Sequence, residues 1–299
     1  MNVAFFFEVL IGGLLAGVMY SLVALGFVLI YKASGVFNFA QGAMVFLAAL
    51  TFVSLVERGV NFWIALLITL AVMVVLAVAI EKVMLRPLVN QPPITLFMAT
   101  IGLTFVLEGL SQLVWGSQPH GLELGIPDVP MGWLSHKWNI NVSQFDLFAA
   151  GVAGAMVAAL ALFFQYTRIG RALRAVADDH QAALAVGIPL KNIWAIVWAV
   201  AGFVALVAGL MWGARNGVQY ALTFIALKAL PVLILGGFES VPGAIVGGLI
   251  IGASEKLAEV YIGPMVGGGI ESWFAYVIAL LFLLVRPQGL FGEKIIDRV

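Results

Sequence analysis

Residues 9–30, 61–80 and 192–213 run without a single Asp, Glu, Lys or Arg. A helix of about 20 apolar residues crosses the hydrocarbon core of a bilayer, so each run is a full span by length. Residues 94–115 repeat the pattern with one interruption, Glu108, and residues 145–165 repeat it with Asp146 at the edge. Charged residues make up 10% of the 299 positions, against roughly 25% in soluble domains. Fifteen acidic and fifteen basic side chains can barely clothe a water-exposed surface of this size. The expected fold is therefore all-α and polytopic. Zero net charge suggests no nucleic-acid partner, and the absence of cysteine excludes disulfide and thiolate chemistry. The first apolar run lacks a convincing cleavage site followed by soluble sequence, and reads as a retained span.

The order of spans follows from the polar breaks. Residues 36–56 form a second span that ends at Glu57, Arg58 and Gly59, and Pro87, Pro92 and Pro93 separate the third span from the fourth. Residues 116–144 are the one long loop; with one Lys and no Arg, they belong outside by the positive-inside rule. Residues 221–235 carry Lys228 and Pro231, residues 245–253 resume the apolar pattern, 255–271 read as a second external connector, and 272–285 close the series. Counting the broken passage at 236–244 as joining two short crossings gives nine spans and an external N-terminus. Counting it as one element gives eight, with the N-terminus inside. Gly13 and Gly17, Gly243 and Gly247, and Gly248 and Gly252 are each four apart, the spacing that lets two membrane helices approach closely.

One stretch differs from all of this. Residues 166–190 hold Arg168, Arg171, Arg174, Asp178 and Asp179, with Lys191 next to them, between two membrane-soluble runs. A helix places Arg168, Arg171 and Arg174 near one face, and Ala172, Ala175 and Ala177 favour that helix. Gly187 and Pro189 then stop it. The stretch is either a cytoplasmic connector whose arginines fix topology or a docking surface for a soluble partner. Within the spans, Asn38, Gln41, Glu108 and Lys228 each need a partner or a wet cavity. For Lys228, about two turns inside the membrane, the expected options are a polar cavity, Glu239 or Glu108, snorkelling, or a substrate carboxylate. An echo at an offset of 201 residues matches Gly35, Phe37, Gly42, Ala43 and Val45 with Gly236, Phe238, Gly243, Ala244 and Val246, as in transporters built from repeats.

No G-x-x-x-x-G-K-[ST] loop is present, and no lysine is followed by Ser or Thr, so the chain should not hydrolyse ATP. Glu108 is the one obvious acid for proton coupling. An ion-coupled secondary transporter and a membrane scaffold are the rival classes to a subunit that receives its energy from a partner.

The residues that decide among these are 34–42 (SGVFNFAQG), 170–179 (GRALRAVADD), 183–188, 236–244 (GGFESVPGA) and 286–292 (RPQGLFG). In that order they resemble the permease subunits of bacterial high-affinity branched-chain amino acid ABC importers, the LivH type. Urea and short-amide permeases look similar. The chain departs from the usual pattern at Gln41, where His is common, and at Glu239, where Gly is common; the second change admits a shifted substrate. The resemblance implies one permease domain over 1–299 in the bacterial inner membrane, with no cofactor of its own. It implies a related second permease, two cytoplasmic ATPases that bind ATP and Mg, a periplasmic binding protein, and surrounding lipid. It makes 166–190 a coupling segment in which Gly170, Arg171, Arg174, Asp178, Asp179 and Gly187 meet an ATPase. Asn38, Gln41, Gly42, Lys228, Gly237, Glu239 and Gly243 become pathway or turn residues, and the cargo leucine, isoleucine or valine.

Overall fold

The computed structural model describes residues 3–88, 91–178, 183, 185 and 187–292. In chain order its helices are α1 (Val3–Ser34), α2 (Gln41–Glu57), α3 (Phe62–Ile80), α4 (Pro93–Trp115), α5 (Gly132–Trp138), α6 (Gln144–Tyr166), α7 (Arg168–Asp178), α8 (Leu190–Asn216), α9 (Ile225–Gly236), α10 (Val241–Tyr261), α11 (Gly263–Val266) and α12 (Phe274–Val285). Among the described residues, six helical segments are long and apolar enough to cross a membrane, and three shorter apolar segments accompany them, Gln41–Glu57, Tyr220–Gly236 and Phe274–Val285. Trp63, Leu67 and Val75 on α3 and Leu280, Leu284 and Val285 on α12 are exposed. Large apolar side chains stand outward in this way when the surrounding solvent is lipid. The chain is an all-α, polytopic membrane-spanning protein.

Of the boundaries that differ from the sequence reading, two place polar side chains. The helix after Ile80 does not stop but continues through a π turn, Glu81–Leu85, and a 3-10 turn, Arg86–Leu88. The buried Glu81 carboxylate is held there by Arg86 at 3.0 Å. More consequentially, α10 runs to Tyr261, so residues 255–261 are helix rather than connector. Ser240 starts that helix by accepting the Gly243 N–H at 3.0 Å, a side-chain cap for an otherwise orphaned donor. Nothing between there and Tyr261 interrupts the backbone pattern.

The described chain forms two compact units. One comprises Met1–Ala24, Leu124–Val157 and Leu227–Val299; the other comprises Leu25–Glu123 and Ala158–Ala226. In the second unit α2 is the central element. From Gln41 to Ser54 every residue is buried, and α3, α4 and α8 pack around it. Gly209 of α8 makes one of these approaches possible, because a Cβ there would stand 2.7 Å from the Val45 carbonyl.

In the first unit the glycines singled out by spacing meet one another. Gly13 and Gly17 on α1 lie against Gly252 and Gly248 on α10, and a Cβ on Gly17, Gly248 or Gly252 would collide with backbone of the other helix. Ser21 adds hydrogen bonds to the carbonyls of Gly17 (2.9 Å) and Ile245 (3.4 Å). Small residues at a seam let two backbones gain dispersion contacts that lipid cannot supply. Gly12, by contrast, has nothing within 4 Å of where its Cβ would be. Gly17→Leu should therefore split the α1–α10 seam, costing about 1–3 kcal/mol or more and lowering the thermal midpoint of the detergent-solubilised protein. Gly12→Ala should leave that midpoint unchanged or slightly raised.

Candidate functional site

Only Thr167 separates α6 from α7, and three interactions fix the corner. The Gly170 N–H donates to Thr167 Oγ1 at 3.1 Å. Gly170 itself presses on the Phe164 backbone, where no Cβ fits. Arg174 turns back to donate to the carbonyls of Phe164 (3.1 Å) and Gln165 (3.2 Å). The last carbonyls of a helix lack intrahelical partners and attract cations, so the guanidinium answers both needs at once. Leu173 and Val176 are buried while Arg168 and Arg171 are exposed. All three arginines that spacing grouped together are exposed, and contact rather than burial divides them: Arg174 secures the end of α6. Asp178 ends α7 with its side chain outside the described residues, and Asp179 lies outside them entirely. Gly187 adopts φ +84°, the left-handed conformation that glycine accepts most readily, and the next N–H, of Ile188, reaches the Ala183 carbonyl at 3.0 Å.

Asn38 and Gln41 lie in the core of the second unit, both fully buried. Asn38 Oδ1 accepts the Ala40 N–H at 3.1 Å, which shapes the turn before α2. Gln41 Nε2 donates to the Ala201 carbonyl at 3.4 Å and occupies the space left by the missing side chain of Gly26, while Gly42 packs on the Thr223 carbonyl. Thr100 Oγ1 ties the same turn to α4, accepting the Phe39 N–H at 3.3 Å and donating to the Phe37 carbonyl at 3.2 Å. Glu108 is buried and accepts the Tyr220 hydroxyl at 3.2 Å.

In the first unit, Gly237 turns the chain between α9 and α10 at φ +102°. The segment after α12 lies on this turn: the N–H groups of Leu290 and Phe291 donate to the carbonyls of Leu235 (2.8 Å) and Gly236 (3.1 Å). Gly243 packs on the Gly236 carbonyl, and Glu239 is exposed.

Lys228 pairs with neither Glu239 nor Glu108. Its Nζ stands 2.9 Å from Glu255 and 3.5 Å from Glu271, and Lys256 reaches the other Glu271 oxygen at 3.2 Å. Tyr20 joins from α1, its hydroxyl donating to Glu255 at 3.5 Å and its ring 5.9 Å from the Lys228 ammonium. The reason is the longer α10, which carries Glu255 as helix to the face that meets α1. One turn beyond Lys228, Pro231 has no N–H for the Leu227 carbonyl, and the Tyr276 hydroxyl donates to it instead at 2.6 Å. Burial disfavours the Glu271 carboxylate, yet Lys256 and Lys228 outweigh it and hold its pKa below the ordinary value. Sequence reasoning missed Glu255, Glu271 and Tyr20. A signal for Glu255 existed: Gly248, Gly252 and Glu255 follow the i, i+4, i+7 spacing of one helical face.

Comparison with known proteins agrees with this architecture. Residues 9–286 match the model of the branched-chain amino acid transport system permease component. The chain is 27% identical to the high-affinity branched-chain amino acid transport system permease protein LivH of Escherichia coli (strain K12), over 99% of this chain and 98% of that one. It is 28% identical to the corresponding protein BraD of Pseudomonas aeruginosa, over 98% of each. Among solved structures, PsaBC from Streptococcus pneumoniae in complex with Fab aligns over 94% of this chain and 92% of that chain, with a TM-score of 0.50 at 15% identity, a likeness of fold. With a family match over nearly its whole length, this chain belongs to the permease components of branched-chain amino acid transport systems.

Proposed function

We propose that the chain is the gated membrane pathway of an ATP-driven importer, carrying leucine, isoleucine or valine released by a periplasmic binding protein. It is a non-catalytic subunit: energy comes from two cytoplasmic ATPases, which hold ATP and Mg, and the membrane core is completed by a related second permease. The observation that carries this reading is the α6–α7 corner. A short helix presents Arg168 and Arg171 outward, while Gly170 and Arg174 hold it on the end of a membrane helix. Such a lever can pass a partner's closure to the spans as rigid-body movement, and the arginines give the contact its orientation.

On this reading residues 1–299 are one permease domain in the bacterial inner membrane, with 166–190 as its cytoplasmic coupling segment. The six long and three shorter apolar segments support nine crossings and an external N-terminus. The echo falls on the turn at 35–40 in the second unit and the turn at 237–240 in the first. Each precedes a helix whose early glycine, Gly42 or Gly243, packs on a backbone carbonyl, which supports reading the echo as a duplicated turn.

Two outcomes test the proposal. In proteoliposomes the chain alone should accumulate no leucine, even under a proton or sodium gradient. With its cognate partners and ATP it should accumulate leucine, competed by isoleucine and valine and not by urea. Accumulation by the chain alone would favour the secondary-transport reading; competition by urea would favour the amide one. Separately, Arg171→Glu should lower ATP-dependent uptake by roughly threefold to tenfold, as expected for reversing one partly exposed interfacial charge, with little change in thermal stability. An unchanged uptake rate would remove Arg171 from the contact.

A further inference from the structure

We propose that Lys228 and Glu271 form a site for the zwitterionic head group of an amino acid, an inference that rests on the substrate class proposed above. The four charges of the cluster alternate in sign: Glu255, Lys228, Glu271, Lys256. Their distances do not make three equal links. Lys228 is held to Glu255 at 2.9 Å and Glu271 to Lys256 at 3.2 Å, while the joint between Lys228 and Glu271 is the longest at 3.5 Å. Exposure sets Glu255 apart from the other three, with the Lys256 side chain 34% exposed. The side chain of Glu255 is 3% exposed, whereas those of Lys228 and Glu271 are each 33% exposed.

The buried acid is an anchor and the open joint is where something else can enter. When that joint parts, neither charge is stranded, because each keeps its own partner. An uncompensated charge is what makes breaking an ion pair costly, and here that cost is avoided. The opened joint offers an ammonium beside a carboxylate. An α-amino acid presents the complement, its carboxylate to Lys228 and its ammonium to Glu271, and leaves the net charge of the cluster at zero. A ligand with only one of the two charges would leave one jaw unmatched. The arrangement therefore reads the main-chain groups common to amino acids and is indifferent to their side chains. On the nine-crossing topology the cluster lies at the external ends of α9 and α10, where a delivered amino acid first meets the permease.

The test uses the assembled transporter without its binding protein, with radiolabelled leucine as the probe and two analogues as competitors, 4-methylpentanoate (no ammonium) and 3-methylbutylamine (no carboxylate). Saturable leucine binding should be displaced by either analogue about tenfold less well than by leucine, the expected effect of losing one charge-assisted contact. Glu271→Gln should bring leucine and 4-methylpentanoate to within about threefold of each other, a loss of discrimination that a purely structural ion pair would not produce. Lys228→Gln also strips the buried Glu255 of its cation and is expected to fold poorly, so Glu271→Gln is the deciding variant. Absence of saturable leucine binding in a complex that transports leucine, or unchanged discrimination in Glu271→Gln, would overturn the site. Absence of leucine uptake by the complete wild-type system would instead contradict the proposed function, and the site with it.

Discussion

A cation set among membrane helices has to be matched on the spot, and Lys228 imposes that condition on the first unit of this chain. Its partner Glu255 lies almost fully buried at 2.9 Å, so α10 must remain helical well past its glycines to bring the carboxylate there. The same face of α10 then has to meet α1 closely enough for Tyr20 to reach Glu255. Gly13, Gly17, Gly248 and Gly252 provide that closeness. An ion pair of this kind gives little net stability over an apolar replacement, but removing one half of it is strongly destabilising. It therefore fixes the register of two helices more than it strengthens them.

The second unit solves a different problem with similar means. Its central helix α2 is buried from Gln41 to Ser54, and Asn38, Thr100 and the Gln41 amide nitrogen answer polar groups at its start, while Gln41 Oε1 is buried without a hydrogen-bond partner among the described residues. Asn38 holds Ala40, Thr100 holds Phe37 and Phe39, and Gln41 sits over Gly26. Irregular backbone at membrane depth is tolerated when protein surrounds it and its hydrogen bonds are answered. Elsewhere in this unit, Arg174 does for the end of α6 what these side chains do for the start of α2.

Much of this was legible in the sequence because lipid simplifies the code. Charge-free length marks a span, and the limits expected for α4, α6 and α8 lie within a few residues of those observed. The pairing of small-residue faces was also readable, since glycines four apart have few other uses in an apolar helix. What the sequence hid was partnership. Glu255 and Glu271 looked like connector residues because a glycine-rich run lies between them, and nothing local says that the helix persists to Tyr261. Arg174 looked equivalent to Arg171, for spacing shows which residues share a face but not which of them is bent back onto the preceding helix. The order of motifs across the chain identified the family, whereas the roles of single residues within it depended on distances that only the folded chain supplies.

The proposal that energy reaches this pathway through α7 is tested most directly by a structure of the assembled complex in lipid nanodiscs. The account predicts an ATPase subunit seated against the outward face of α7, in contact with Arg168 and Arg171, with Arg174 still bound to the end of α6. An α7 free of any ATPase, or lying on the opposite side of the membrane from it, would contradict the account.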